Sequence, residues 1–173
     1  MPQLTTHLAI DAPAGQVWQV IGPGFARIGD WATTIPASAA IPVTAPAAAS
    51  PAAASTPAMG RTCSTGIGLV PSITETLTGY DEQRRTLSYQ AAGLPAFITT
   101  AASTWTVTPT GETTCEVTVT GHFQARGVPG LLGCWAILAQ ARLTARRLQT
   151  DLRHYVKHGT PSPRKQRQLS RRR

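Results

Sequence analysis

The sequence has few of the residues that hold small extracellular or metal-dependent domains together. Its three cysteines, Cys63, Cys115 and Cys134, are far apart and form no Cys-x-x-Cys pair. This pattern argues against a disulfide framework and against a structural zinc site. No apolar run approaches the roughly 20 residues that a membrane span needs, and residues 1–10 do not resemble a secretory signal. We therefore expect a cytoplasmic protein that uses no metal or other cofactor.

Charged and aromatic residues are also scarce. Charged side chains make up 14% of the 173 residues and aromatic side chains 6%, whereas about a quarter of residues are charged in typical proteins. The hydrophobic fraction of 42% is enough for the core of one domain, but the length leaves no room for two. The chain also lacks a Gly-x-Ser-x-Gly elbow and a complete glycine-rich nucleotide loop, which argues against serine hydrolases and dinucleotide-binding enzymes.

The positive charge lies at one end of the chain. The formal net charge is +8, and 11 of the 16 basic residues follow position 141, opposed there only by Asp151. Residues 159–173 hold six basic residues and almost nothing apolar, which predicts a basic disordered tail. The simplest interpretation is a solvated tail that aids solubility, and the alternative is weak contact with an anionic surface. Nothing resembles a base-reading element, so we expect no specific nucleic-acid partner.

The hydrophobic pattern predicts one α+β domain over residues 1–158. Alternation over residues 3–10 indicates a strand, followed by a helix that begins near Pro13 and a second short helix over residues 25–31. Residues 36–58 contain 11 alanines and five prolines, which predicts a low-complexity insertion with at most a short strand near residues 41–44. The remaining segments are five antiparallel strands and a long helix, at residues 61–64, 73–79, 84–91, 98–108, 114–124 and 129–157.

Six short motifs occur in this order: Ile10-Asp11-Ala12-Pro13 with Val17-Trp18, Ile28-Gly29-Asp30-Trp31, Gly60-Arg61, Thr74-Glu75, Tyr80-Asp81 and Leu87-Ser88-Tyr89. Their order and spacing resemble the START-like (SRPBCC) superfamily, and within it the polyketide cyclase/dehydrase-like proteins. The resemblance covers roughly residues 3–158 apart from the insertion. It implies a helix-grip fold, in which a curved antiparallel sheet wraps around a long C-terminal helix after two short helices. It also implies a cavity between sheet and helix that binds apolar or amphipathic small molecules.

Strand parity predicts a polar row on the inner, apolar face of the sheet. If the turns are symmetric, Arg61 lies opposite Glu75, Glu75 lies opposite Tyr89, and Leu77 lies opposite Leu87. Three roles are open for the row. It could orient the polar group of a ligand, it could be an ion pair that joins the strands, or Glu75 could act as a base with Arg61 and Tyr89 in catalysis.

The leading hypothesis is a carrier or binding module for a hydrophobic or amphipathic, lipid- or polyketide-like molecule. The alternative is a polyketide cyclase/dehydratase-type enzyme, and a third option is a partner-binding domain whose basic tail docks on an anionic surface. Two histidines, His154 and His158, lie four residues apart without a third ligand, so we expect no metal site. The oligomeric state stays open. The predicted ligand-binding residues are Trp31, Arg61, Glu75, Leu77, Leu87, Tyr89, Trp105, Val117, Val119, Trp135 and Leu138.

Overall fold

The structure is a computed structural model that describes residues 3–42, 58–67 and 70–171. Within these ranges the side chains of residues 66, 67, 125 and 127–141 lie outside the description. The strands are β1 (Gln3–Ile10), β2 (Ser38–Ile41), β3 (Gly60–Ile67), β4 (Val70–Asp81), β5 (Thr86–Ala92), β6 (Ile98–Pro109) and β7 (Cys115–Ala125). The helices are α1 (Ala14–Ile21), α2 (Ile28–Trp31), α3 (Gly127–His158) and α4 (Pro163–Ser170), with a 3₁₀ turn at Phe25–Arg27 before α2.

The seven strands form one antiparallel sheet in the order β1-β7-β6-β5-β4-β3-β2. Alternate residues of the strands, among them Leu87, Trp105 and Val117, point to one face and are buried. Helices α1 and α3 contribute Val17 and Leu152 to the same core. This is the predicted α+β helix-grip arrangement: the period-2 pattern gives the sheet one apolar face, and the helices cover it.

Local sequence accounts for the ends of the helices. Pro13 stands immediately before α1, where its fixed φ and missing N–H fit the start of a helix. Helix α3 ends at Gly159, which has a φ of 67° and donates its N–H to the carbonyl of Tyr155. A left-handed φ costs glycine little, because it has no Cβ.

The structure corrects two of the predicted segments. Residues 159–173 were expected to be a disordered tail, but residues Pro163–Ser170 form α4, on which the side chain of Lys165 is fully buried. The short strand expected near residues 41–44 is β2, which lies earlier, at Ser38–Ile41. There it pairs with β3, with Ser38 opposite Cys63, and the Ser38 hydroxyl donates to the carbonyl of Ala26 at 2.6 Å. Residues 43–57 of the predicted insertion lie outside the described residues.

The register between β4 and β5 also differs from the prediction. Glu75 lies opposite Ala91 and Leu77 lies opposite Tyr89, two residues away from the predicted pairing. A β-bulge between Leu77 and Gly79 then changes the parity, so that Tyr80 lies opposite Leu87 and packs into the core. A shift of two residues keeps each side chain on its face, which is why Glu75 and Tyr89 still point inward.

Candidate functional site

A buried ion pair joins β3 to β4 on the inner face of the sheet. Arg61 lies opposite Glu75 as predicted, and its Nε donates to Glu75 Oε2. The two residues are only 3% and 6% exposed. The Cys63 thiol also contacts Glu75 Oε2, with a sulfur–oxygen distance of 3.7 Å. A buried carboxylate is stable only with such partners, because an uncompensated charge in the core costs several kcal/mol.

The Arg61 guanidinium extends from this pair toward the 3₁₀ turn. Its Nη1 donates to the backbone carbonyl of Phe25 at 2.5 Å, and its carbon Cζ lies 3.9 Å from the centre of the Phe25 ring. The Tyr89 ring lies on the same cation, 5.4 Å from Cζ to the ring centre. Phe25 and Tyr89 are themselves 5.4 Å apart. The three predicted polar residues therefore form a cluster around the guanidinium rather than a straight row across paired strands.

Two neighbours of the ion pair remain protonated at neutral pH. The pKa of the Tyr89 phenol is raised to about 12, chiefly because burial desolvates it and in smaller part because the Glu75 carboxylate lies near, against the opposing effect of Arg61. Burial likewise raises the pKa of the Cys63 thiol to about 12, with Glu75 again adding to the effect. Tyr89 can therefore donate a hydrogen bond but does not act as a phenolate, and Cys63 is a poor nucleophile.

The Tyr89 pKa predicts a loss of stability at alkaline pH. The folded state holds the phenolic proton up to about pH 12, whereas an unfolded tyrosine releases it near pH 10. Between these values the folded state binds more protons, so the stability that this group contributes is lost as the pH rises. The difference in unfolding free energy between wild type and Tyr89→Phe, measured with urea, should be constant from pH 7 to 9 and decrease above pH 10. A difference that stays constant up to pH 11 would contradict the assignment.

An apolar cavity, here called the Phe25 cavity, adjoins the cluster. The space between its walls is about 250 Å³ including the part open to solvent, but the centre of a water molecule can move through only about 10 Å³ of it. That is room for about one water molecule. The described lining residues are Val20, Ile21, Gly24, Phe25, Ile28, Trp31, Arg61, Leu87, Tyr89 and Trp105.

The buried indole N–H of Trp31 has no hydrogen-bond partner among the described residues. Trp31 is 3% exposed and lines the Phe25 cavity, and its ring lies 6.3 Å from that of Tyr155 on α3. A buried donor without a partner costs about 1–3 kcal/mol. An acceptor atom placed in the cavity could remove this cost.

A second cavity, the Leu152 cavity, lies between the sheet and α3. Its walls are apolar, and the space open to the centre of a water molecule is about 30 Å³. Trp105 lines this cavity as well as the Phe25 cavity, so its side chain stands between the two. The described lining residues are Thr6, Leu8, Trp105, Val117, Val119, Ala145, Leu148, Gln149 and Leu152.

Of the eleven predicted ligand-binding residues, seven line one or both cavities, two line neither, and the side chains of two lie outside the described residues. Trp31, Arg61, Leu87 and Tyr89 line the Phe25 cavity, Val117 and Val119 line the Leu152 cavity, and Trp105 lines both. Glu75 and Leu77 line neither of these cavities; Glu75 is engaged by Arg61, and Leu77 packs against the core. The side chains of Trp135 and Leu138 lie outside the described residues.

Sequence reasoning missed the contribution of the segment from α1 to α2. Val20, Ile21, Phe25 and Ile28 line the Phe25 cavity, and the Phe25 carbonyl accepts a hydrogen bond from Arg61. Only the Phe25–Arg27 turn, placed over the end of β3, brings these groups together. No local signal indicates this contact, since Phe25 and Arg61 are 36 residues apart in the chain.

The described residues contain no group of three metal-binding side chains, and none of their helices has the length and apolarity of a membrane span. His154 and His158 do pair on α3, with ring centres 4.5 Å apart. His122 on β7 is exposed.

Comparison with known proteins supports the fold. The model of a family described as polyketide cyclase / dehydrase and lipid transport matches residues 1–158. No curated protein matches the sequence.

Among solved structures, the protein XoxI from Bacillus cereus is 22% identical with a TM-score of 0.68, and the match covers 91% of this chain and 97% of that one. A START superfamily protein from Mycobacterium smegmatis is 13% identical with a TM-score of 0.65, and the match covers 91% of this chain and 99% of that one. The di-domain ARO/CYC BexL, from the BE-7585A biosynthetic pathway, is 18% identical with a TM-score of 0.70, over 91% of this chain and 47% of that one. At these identities the structural likeness establishes the fold alone.

Proposed function

Because the chain belongs to the polyketide cyclase / dehydrase and lipid transport family, we propose that it binds a hydrophobic or amphipathic small molecule on the inner face of the sheet. The molecule would occupy the Phe25 cavity and extend past Trp105 into the Leu152 cavity, which lies between the sheet and α3. The proposed ligand is lipid-like or polyketide-like, with an apolar body and at least one polar group. Its role would be that of a carrier or binding module. The cytoplasm remains the location expected from the sequence.

The observation that carries the proposal is the composition of the Phe25 cavity. Its walls are apolar side chains, and they include one cation from Arg61 and one neutral phenol from Tyr89. Two indoles whose buried N–H groups have no hydrogen-bond partner among the described residues, those of Trp31 and Trp105, also line it. Ligand sites commonly combine apolar walls with a few such polar groups, which fix the orientation of the ligand. Arg61 donates to Glu75 through Nε and to the Phe25 carbonyl through Nη1, and its side chain also lines the cavity.

The small size of the cavity sets a condition on binding. A ligand larger than a water molecule must displace residues of the cavity wall. We expect the short segment from α1 to α2 to be the part of the wall that moves. Helix α2 has only four residues, Ile28–Trp31. We therefore expect ligand entry to shift Phe25 and Trp31 relative to the sheet.

The enzymatic alternative has weaker support from the same geometry. A cyclase or dehydratase would need a base that reaches the substrate, but Glu75 lies behind Arg61 and lines neither described cavity. Tyr89 reaches the Phe25 cavity as a neutral phenol, so it could serve only as a donor. Orientation of a ligand is the role that fits both residues.

Binding can be tested with a fluorescent amphipathic probe, anilinonaphthalene sulfonate, and by native mass spectrometry of the protein from its own source. The probe should bind the wild type, and Tyr89→Phe should weaken binding about three- to tenfold, as loss of one hydrogen bond would. Tyr80→Phe is the matched control, because Tyr80 packs on Trp18 outside both cavities. We expect it to change the affinity less than twofold.

Replacing Glu75 with Gln separates a ligand role from a purely structural one. Altered probe binding with unchanged stability supports a part for the ion pair in the site. Reduced stability with unchanged probe binding assigns the pair to the fold alone. If no probe binds and no small molecule remains with the purified protein, the carrier proposal is wrong.

A further inference from the structure

Helix α4 forms one wall of an open cleft rich in arginine. Arg164, Arg167 and Arg171 lie at spacings of three and four residues, which places them on one face of the helix. Together with Thr33 and Gln168 they surround about 380 Å³ of space that a water-sized molecule can occupy. This space, here called the arginine cleft, is much larger than either apolar cavity.

Helix α4 is fixed to the domain by its opposite face. The ammonium group of Lys165 is buried and donates to the carbonyls of Ile35 and Pro36 at 2.8 and 3.1 Å. Ser162 caps the helix, accepting from the backbone N–H of Lys165 and donating to Asp151 Oδ1 at 3.2 Å. The arginines are therefore held on a docked helix rather than on a flexible tail.

Thr33, the residue facing α4 across the cleft, is also held in place. Asp151 Oδ2 accepts hydrogen bonds from both the backbone N–H and the hydroxyl of Thr33, at 2.7 and 2.6 Å. The Asp151 carboxylate is 6% exposed and is occupied by Thr33 and Ser162. It is also the last acidic residue in the sequence.

The positive charge of the cleft is unfavourable without a counter-charge. Like charges three and four residues apart destabilise a helix. Arg164 stands in the first turn, where the helix dipole disfavours a cation, whereas Arg167 stands in the last turn, where the dipole favours one. Among the described residues, none of the three arginines forms a salt bridge. All three are exposed. An arrangement that costs stability in the free protein is expected where it serves to bind an anion.

We propose that the arginine cleft binds a phosphate group. Guanidinium groups match the oxygens of phosphate with paired, charge-assisted hydrogen bonds, and three of them line this cleft. The phosphate could belong to a lipid headgroup or to a soluble phosphate ester.

The test compares two sources of phosphate with the full chain. Pyrophosphate binding is measured by isothermal titration calorimetry, and lipid binding by co-sedimentation with vesicles of phosphatidylcholine mixed with phosphatidylglycerol. The variant R164Q/R167Q removes two charges from the cleft. The matched control R146Q/R147Q removes two exposed charges from α3 that do not line the cleft. All four side chains are exposed, so both variants should fold, as circular dichroism can verify.

We expect R164Q/R167Q to weaken binding ten- to a hundredfold and R146Q/R147Q to weaken it less than threefold. If R164Q/R167Q weakens binding of pyrophosphate but not of vesicles, the source of the phosphate is a soluble phosphate ester. If it weakens binding of vesicles but not of pyrophosphate, the source is a lipid headgroup. Equal losses in the two variants would mean that only net charge matters, and the proposal would then be wrong. Absence of binding to both probes would also overturn it. These outcomes are independent of ligand uptake by the Phe25 cavity, which uses other residues.

Discussion

Replacing Arg61 with Met should lower the free energy of unfolding by about 3–5 kcal/mol. The substitution leaves the Glu75 carboxylate in the core with only the weak Cys63 thiol as a described partner. It also removes the hydrogen bond to the Phe25 carbonyl and the contact with the Phe25 ring. Denaturation with urea, followed by tryptophan fluorescence, measures the change.

An exposed ion pair at the turn between β4 and β5 provides the control. Arg84 lies 3.7 Å from Asp81, with side chains 85% and 42% exposed. Arg84→Met should cost less than about 1 kcal/mol, because water solvates the remaining carboxylate. The double variant R61M/E75L should recover most of the loss, since apolar replacement of a whole buried pair is often neutral or stabilising. Equal effects at Arg61 and Arg84 would show that the pair contributes little.

Replacing Trp105 with Ala should lower the free energy of unfolding by about 3–5 kcal/mol. Trp105 is 6% exposed and lies between the Phe25 and Leu152 cavities. Removing its side chain joins the two into one larger apolar cavity, because the surrounding sheet and helices relax only in part. Apolar cavities of this kind stay dry and take up small apolar molecules. The variant should therefore gain stability when benzene is added.

Trp105→Phe provides the comparison for this prediction. Phenylalanine fills part of the same space, so it should cost clearly less than alanine. Addition of benzene should stabilise it less than it stabilises Trp105→Ala. If Trp105→Ala cost less than about 1 kcal/mol, Trp105 would not be the side chain that separates the two cavities.

Both predictions bear on the relation between stability and binding. The Arg61–Glu75 pair holds β3 to β4 and also presents the guanidinium to the Phe25 cavity. Trp105 belongs to the core and lines both cavities. Substitutions at these positions will therefore change folding and ligand uptake together. Tyr89→Phe, which removes one hydroxyl, separates the two effects more cleanly.

The sequence predicted most of the strands and the pairing of Arg61 with Glu75. Both follow from short-range patterns: alternation assigns side chains to faces, and a simple turn aligns neighbouring strands. The prediction for Tyr89 was correct in face and wrong in partner. The bulge after Leu77 and the loop before Thr86 together changed the register, and neither leaves a clear signal in the sequence.

For the C-terminal segment, the prediction from the sequence was wrong. Its composition predicts disorder, since residues 159–173 contain too little apolar surface to form a core of their own. Tertiary contacts override the composition: the buried ammonium of Lys165 binds two carbonyls of the segment before β2. Such a contact depends on residues about 130 positions earlier in the chain.

The sequence by itself determined the α+β class, the apolar inner face of the sheet and most of the residues that lie on it, because these depend on local periodicity. Only the tertiary structure decided that Phe25 meets Arg61, that Trp105 separates two small cavities, and that α4 turns three arginines toward one cleft. Each of these contacts joins segments that are distant in the chain. Their geometry follows from how the helices pack on the sheet, which no short stretch of sequence encodes.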